Sequence, residues 1–175
     1  EIDKFLAFFN SENGDLVRLR LSGMIDGMRK KGISITEDQI EFIEMGGGGS
    51  DTTLIANQKM TDWLTAHPDY TKIAVGTVNT ETGQGVFSAA QASGRDAHCY
   101  LATNNNGNQT LAAWEQGDNM WLGGSAYYPA KYGEYIIPMA LDILAGKDVP
   151  RIMTMDHKFL TRDDIAAVKA EMGVE

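Results

Sequence analysis

The sequence contains one cysteine, Cys99, and three histidines, His67, His98 and His157, among 175 residues. A lone cysteine cannot form an internal disulfide, and the apolar neighbours of Cys99 predict a place in a buried strand. The histidines are far apart and show no metal-ligand spacing with cysteine or with carboxylates. These features argue against a metal site and against a histidine-based catalytic centre.

Basic residues and long apolar runs are also scarce. Lysine and arginine number 15 against 24 aspartates and glutamates, a net charge of -9, so a nucleic acid backbone would be repelled. No apolar run approaches the roughly 20 residues that a bilayer span needs. The chain starts almost directly in an apolar run, with no basic leader segment before it, which predicts that its N-terminus is a cut end.

Signatures of enzymes are missing as well. The segment after the first apolar run, Asn10 to Gly14, is polar but lacks the Gly-x-Gly-x-x-Gly pattern that a pyrophosphate requires. No pair of residues indicates a general acid and base. We therefore expect a protein that is not an enzyme and that holds neither a cofactor nor a metal ion.

Short apolar runs alternate with amphipathic segments of helical length along the whole chain. This pattern is typical of an α/β domain with a parallel sheet, and the length suits one domain over residues 1–175. Five strands are predicted, at 4–10, 39–45, 72–78, 98–103 and 120–126. Helices are predicted at 15–31, 51–67, 83–93, 109–116, 129–147 and 161–172.

One segment, Gly46 to Ser50, has the composition of a flexible linker. It is either an engineered joint or a native loop between the second strand and the helix that Asp51 begins. The sequence leaves both interpretations open.

Amide side chains recur where predicted strands end. Asn10 follows the first strand, Asn79 the third, and Asn104 to Asn106 the fourth. Ligands of open α/β sheets bind outside these carboxyl ends, and asparagine offers a donor and an acceptor, as a sugar hydroxyl does. The alternative is that these asparagines only end strands and cap helices.

Several segments resemble the sugar-binding type I periplasmic binding proteins, the ribose and galactose receptors of ABC importers. They are Leu64–Asp69, Ile73–Asn79, Gly85–Ala90, Ser93–Arg95, Glu115–Gly117, Tyr128–Pro129, Tyr132–Glu134 and Gly146–Pro150. The resemblance implies a flavodoxin-like three-layer α/β/α lobe, namely the C-terminal lobe of a two-lobed receptor without the bulk of its N-terminal lobe. It also implies a periplasmic location and, for the full-length protein, a membrane permease as partner.

The resemblance further implies that residues 129–155 cross to the other lobe and that 157–161 return. Apolar residues surround most of the helix in the crossing segment, so some of its surface needs cover. A homodimer through residues 129–146, a swapped element or packing onto the lobe's own sheet would supply that cover.

Family positions imply the ligand-binding residues. The cleft arginine falls on Arg20, with Arg18 as the competing choice, and the strand-three asparagine falls on Asn79. Where the family usually has Asn-Asp, this chain has Asn79-Thr80, and its strand-four carboxylate falls on Asn105. Two acidic groups of the family pattern are therefore replaced by neutral ones.

Two further positions complete the implied site. Tyr127 falls where the family places a polar residue at the cleft, while the stacking aromatic of the family falls on Ser50. With Asn10, these residues would form half of a cleft for a small sugar or related polyol. The alternatives are the effector-binding region of a lac-repressor-type regulator and an engineered or truncated scaffold that binds no ligand.

Overall fold

Six strands form one sheet in the computed structural model, which describes residues 1–46 and 51–172. The strands are β1 (Lys4–Phe9), β2 (Ile40–Glu44), β3 (Ile73–Thr77), β4 (Cys99–Asn104), β5 (Trp121–Ala126) and β6 (Lys158–Thr161). Their order is β2-β1-β3-β4-β5-β6, and the first five are parallel. The helices are α1 (Asp15–Lys30), α2 (Thr52–Ala66), α3 (Thr80–Ala92), α4 (Asn108–Glu115), α5 (Tyr132–Leu144) and α6 (Ile165–Met172).

The edge strand β6 is the element that the sequence did not predict. It pairs antiparallel with β5, Phe159 opposite Ser125, and it has only four residues. A strand this short at a sheet edge carries too little alternation to stand out in a sequence. Its single buried side chain, Leu160, packs with α4 and α6.

The central strand β1 shows why the predicted strands are apolar throughout. Phe5, Ala7 and Phe9 pack beneath α1, whereas Leu6 and Phe8 belong to the core under α2 and α3. Because successive side chains of a strand point to opposite faces, a strand covered on both sides needs apolar residues at every position. The α/β/α layers predicted from the sequence are confirmed.

Two glycines allow helices to approach closely. A Cβ on Gly76 of β3 would lie 2.8 Å from both the Met24 sulfur of α1 and the Phe5 ring. A Cβ on Gly85 of α3 would lie 2.3 Å from the carbonyl oxygen of Thr53 in α2. Larger residues at either position would push a helix outward and open the core.

Helix boundaries differ slightly from the predicted ones. Helix α3 begins at Thr80, three residues before the predicted start, because Asn79 caps it. Helix α4 begins at Asn108 itself, with Gly107 as its N-cap.

Cys99 is buried at the start of β4, and burial raises the pKa of its thiol to about 11.

Helix α5 differs from the other helices in its exposure. None of its described residues is buried, and Ile137 and Leu141 are 62% and 60% exposed. A helix that is apolar on several sides normally lies inside a larger structure. The sheet described here does not provide that cover.

The first strand is fixed at its start by an acidic side chain. The Asp3 carboxylate accepts hydrogen bonds from the backbone N–H groups of Thr71 and Lys72, each at 2.9 Å. These bonds hold the pKa of Asp3 below its ordinary value of 3.8; the bond from Thr71 has the larger effect and the bond from Lys72 the next.

This arrangement predicts a pH dependence of stability. The Asp3 carboxylate binds a proton more tightly in the unfolded chain than in the folded one. Its contribution to folding stability is therefore complete above pH 3.8 and is lost as the pH falls through the lower pKa of the folded state. We expect Asp3→Asn to reduce the loss of stability between about pH 5 and pH 3, measured as urea unfolding midpoints. Identical pH profiles for the two proteins would contradict this assignment.

Candidate functional site

The carboxyl ends of β1, β3 and β4 bring three asparagines to one edge of the sheet. Phe8 of β1 is in register with Thr77 of β3, and Thr77 is in register with Thr103 of β4. Asn10, Asn79 and Asn105 each lie two residues beyond this aligned row. The predicted convergence of amide groups at a single rim therefore agrees with the topology.

The chain turns in the same way after β3 and after β4. The Thr77 hydroxyl donates to the Asn79 carbonyl oxygen at 2.9 Å, and the Thr103 hydroxyl donates to the Asn105 carbonyl oxygen at 2.8 Å. Asn105 adopts a left-handed conformation with φ of 84°, which asparagine tolerates better than most residues. Both hydroxyls lie in the buried layer and set the direction in which the asparagines leave the strands.

Two of the predicted ligand residues also act as caps. The Asn79 side-chain oxygen accepts hydrogen bonds from the Thr82 N–H at 2.9 Å and from its hydroxyl at 2.6 Å. The buried Asn10 side chain accepts one from the Glu12 N–H at 2.9 Å. These oxygens are engaged within the protein, so a ligand would meet the amide N–H groups of Asn79 instead.

Arg20 is held at the same rim by two contacts. Its Nη1 donates to the Val78 carbonyl oxygen at 2.7 Å, which ties α1 to the end of β3. Its guanidinium lies 5.6 Å from the centre of the Tyr127 ring, within cation–π range. The competing candidate, Arg18, instead lies over the rings of Phe9 and Phe42.

Tyr127 joins the two chain segments that leave and re-enter the sheet. It follows β5 directly, and its ring centre lies 6.1 Å from that of His157, the residue before β6. Arg20, Tyr127 and His157 thus form a continuous series of contacts. The predicted polar position at Tyr127 lies beside the predicted arginine.

A cleft of about 570 Å³ opens between α1 and residues of β4, β5 and β6. Its lining combines apolar residues with a few polar groups; the residues are Leu16, Leu19, Arg20, Gly23, Met24, Gly27, Ala102, Thr103, Asn104, Ser125, His157 and Phe159. Of the five predicted site residues, only Arg20 lines it directly. Asn104 lines it in place of its neighbour Asn105.

Two residues of the cleft, Ser125 and His157, were not indicated by any sequence pattern. Ser125 lies opposite Asn104 in the register of β4 with β5, and His157 reaches the cleft because β6 pairs with β5. A parallel register and an unpredicted edge strand were both needed to place these residues. In the sequence, only the amide-rich run 104–106 indicated that polar groups line this part of the cleft. The position predicted for the stacking aromatic, Ser50, lies outside the described residues.

A second cavity, of about 460 Å³, lies at the opposite edge of the sheet. Asp96, Cys99, Tyr100 and Asp118 are among the residues that line it, near the starts of β4 and β5. Ligands of open α/β sheets bind at the carboxyl ends of the strands. We therefore take the cleft beside Arg20 as the candidate site.

The described residues contain no cluster of three or more histidines, cysteines and carboxylates suited to a metal ion. Among the helices of that same portion, none has both the length and the apolar character of a bilayer crossing.

Residues 4–148 match the family model described as a periplasmic binding protein domain. The chain belongs to this periplasmic binding protein family. No curated relative matches the sequence at a significant level.

Solved structures share the fold of this binding-protein domain. An ABC transporter solute-binding protein from Agrobacterium vitis, with bound allitol, has a TM-score of 0.78 at 16% identity over 97% of this chain and 57% of its own. One from Actinobacillus succinogenes, with bound D-allose, has a TM-score of 0.74 at 14% identity over 95% of this chain and 55% of its own. A glucose-galactose binding protein from Geobacillus stearothermophilus has a TM-score of 0.69 at 20% identity over 93% of this chain and 54% of its own. The domain thus spans about half the length of these proteins, as one lobe of the type I fold does.

The capping role of Asn79 gives a prediction for stability. Replacing Asn79 with alanine removes both bonds from Thr82, and we expect the free energy of unfolding to fall by about 1 kcal/mol. Asn79→Asp is the matched control, since a carboxylate caps a helix equally well. Urea unfolding measures both variants, and equal losses would exclude capping as the cause.

Proposed function

We propose that this domain is one lobe of the substrate-binding component of an ABC-type sugar transport system, and that it provides half of a ligand cleft. The observation that carries the proposal is the fixed position of Arg20 at the carboxyl edge of the sheet, beside a cleft with few polar groups. A guanidinium offers planar N–H donors that suit sugar oxygens. Under this proposal the protein acts outside the cytoplasm with a membrane permease.

The exposure of the cleft supports the proposal that it is half of a site. Leu16 and Leu19 of α1 line the cleft, yet they are 78% and 63% exposed. Pockets for small molecules bury most of the ligand surface. A second wall closing over α1 would cover these leucines and exclude water from the polar contacts.

Helix α5 supports the proposal that residues 129–155 pack against a second lobe. The solved relatives are nearly twice as long as this chain, so a receptor of that size has a lobe to cover the helix. Ile136 and Ile137 present adjacent apolar side chains to solvent, 58% and 62% exposed. The proposed occupant of this face is therefore the other lobe of the same receptor.

An isolated half-cleft predicts weak binding. Half of a micromolar interaction of about -8 kcal/mol leaves about -4 kcal/mol, which corresponds to a dissociation constant on the order of 1 mM. We expect calorimetry with D-ribose and D-galactose to show nothing tighter than about 0.1 mM. Titrations followed by ¹H–¹⁵N NMR measure binding in the weaker range.

Two variants of α1 make this test specific. Arg20→Gln removes the guanidinium that lines the cleft, whereas Lys30→Gln makes the same change of charge at an exposed position in the last turn. Weak binding that is lost only in Arg20→Gln agrees with the proposal. Micromolar binding would refute the half-site, and complete absence of binding would refute the sugar site.

Because helix α5 is exposed, we expect its apolar positions to tolerate a charged substitution. Ile137→Glu should change the free energy of unfolding by less than about 0.5 kcal/mol, because the side chain is 62% exposed. Leu160→Ala, at a position 1% exposed, should cost about 2–5 kcal/mol and serves as the contrast. Sedimentation tests the occupant: if the chain associates and Ile137→Glu makes it monomeric, a second copy covers the face instead.

A further inference from the structure

The cleft wall has few polar side chains, and none of them is a carboxylate. They are Arg20, Asn104, Ser125, His157 and Thr103, whose hydroxyl already donates to the Asn105 carbonyl oxygen; no aspartate or glutamate is among the residues that line the cleft. Sugar hydroxyls are donors as well as acceptors, and carboxylates are the strongest partners for the donors. Among the lining side chains, only amide, hydroxyl and imidazole groups are left to accept hydrogen bonds from a ligand.

The charge of Arg20 is not neutralised within the described residues. Its guanidinium contacts the neutral carbonyl oxygen of Val78 and the ring of Tyr127. Among the residues that the structure describes, the basic side chains that form ion pairs are those of Arg29, Lys147 and Lys169. A cation at the edge of an apolar cleft favours a ligand that carries the opposite charge.

The lining positions of β4 and β5 add to this imbalance. Asn104 offers an amide, and Ser125, which is in register with it, offers a hydroxyl. The wall thus presents a guanidinium, an amide and a hydroxyl but no carboxylate.

On this basis we propose that the cleft selects sugars bearing a carboxylate, such as uronic or aldonic acids, and that Arg20 binds the carboxylate. This inference rests on the proposed sugar-binding function and narrows its substrate class. Arginine binds carboxylates through two parallel hydrogen bonds, which are stronger than bonds to neutral hydroxyls. Asn104 and Ser125 are left to contact ring hydroxyls.

The overall charge of the protein does not oppose this selection at contact distance. The net charge is -9, but exposed charges are largely screened beyond about 10 Å at 0.1 M salt. Within that distance, the field at the cleft is set by the groups that line it together with Asp15, Asp26 and Asp156, which are next in the chain to Leu16, Gly27 and His157. Selection should consequently weaken as salt is added, because the decisive pair is only partly shielded from solvent.

A matched pair of probes tests the proposal. D-galacturonate and D-galactose differ only in a carboxylate against a hydroxymethyl group at one carbon. We expect the acid to bind about tenfold more tightly in NMR titrations, with shifts at Asn104 and Ser125. Arg20→Gln should abolish this preference, and Lys30→Gln should keep it.

A second variant tests the missing acceptor directly. Asn104→Asp places a carboxylate on the wall, and we expect it to reverse the preference towards galactose, since it accepts hydroxyl donors and repels the acid. This variant keeps the size of the side chain, so the fold should persist.

The outcomes separate this inference from the function on which it rests. Equal affinities of the two probes, with shifts at the cleft, would overturn acid selection while leaving the sugar site intact. A preference that survives in Arg20→Gln would also overturn it. Absence of shifts with either probe up to about 50 mM, far above the expected dissociation constant, would overturn both proposals.

Discussion

Parallel pairing of β1, β3 and β4 is the constraint on which the candidate site depends. Because these strands are in register, residues separated by about seventy and about twenty-five positions reach the same rim. The Arg20 bond to the Val78 carbonyl then fixes α1 against that rim. A slip of one residue in β3 would turn its side chains to the other face and move that carbonyl. The geometry of the cleft therefore follows from the sheet, and not from any single loop.

The polar residues at the rim divide into structural and available groups. Asn10 and Asn79 use their side-chain oxygens to cap helical turns, and the hydroxyls of Thr77 and Thr103 hold the backbone at the strand ends. Arg20 donates one hydrogen bond, to the Val78 carbonyl oxygen, and its side chain is exposed, which leaves further N–H donors for a ligand. A rim that satisfies its own acceptors while presenting donors is suited to ligands rich in oxygen.

Apolar side chains are exposed in two regions of the domain, the cleft and helix α5. The core beneath α1 and the core beneath α2 and α3 are closed, whereas the leucines of the cleft and the isoleucines of α5 face solvent. Apolar groups left in water cost free energy, and contiguous patches usually mark interaction sites. Both exposed regions adjoin the segments that leave and re-enter the sheet around Tyr127 and His157. In the proposed receptor, a second lobe covers both regions.

The sequence by itself determined the α/β class, five of the six strands, the order of helices and the carboxyl-edge position of Asn10 and Asn79, because periodicity and strand-end chemistry are local properties; Arg20 was indicated only by the family resemblance. Only the tertiary structure decided that Asn104 lines the cleft instead of Asn105, since a left-handed turn and the register with β5 set that choice. It alone placed Ser125 and His157 beside Arg20, through pairing with β5 and with the short strand β6. Pairing between distant segments depends on packing of the whole sheet, which no local pattern encodes.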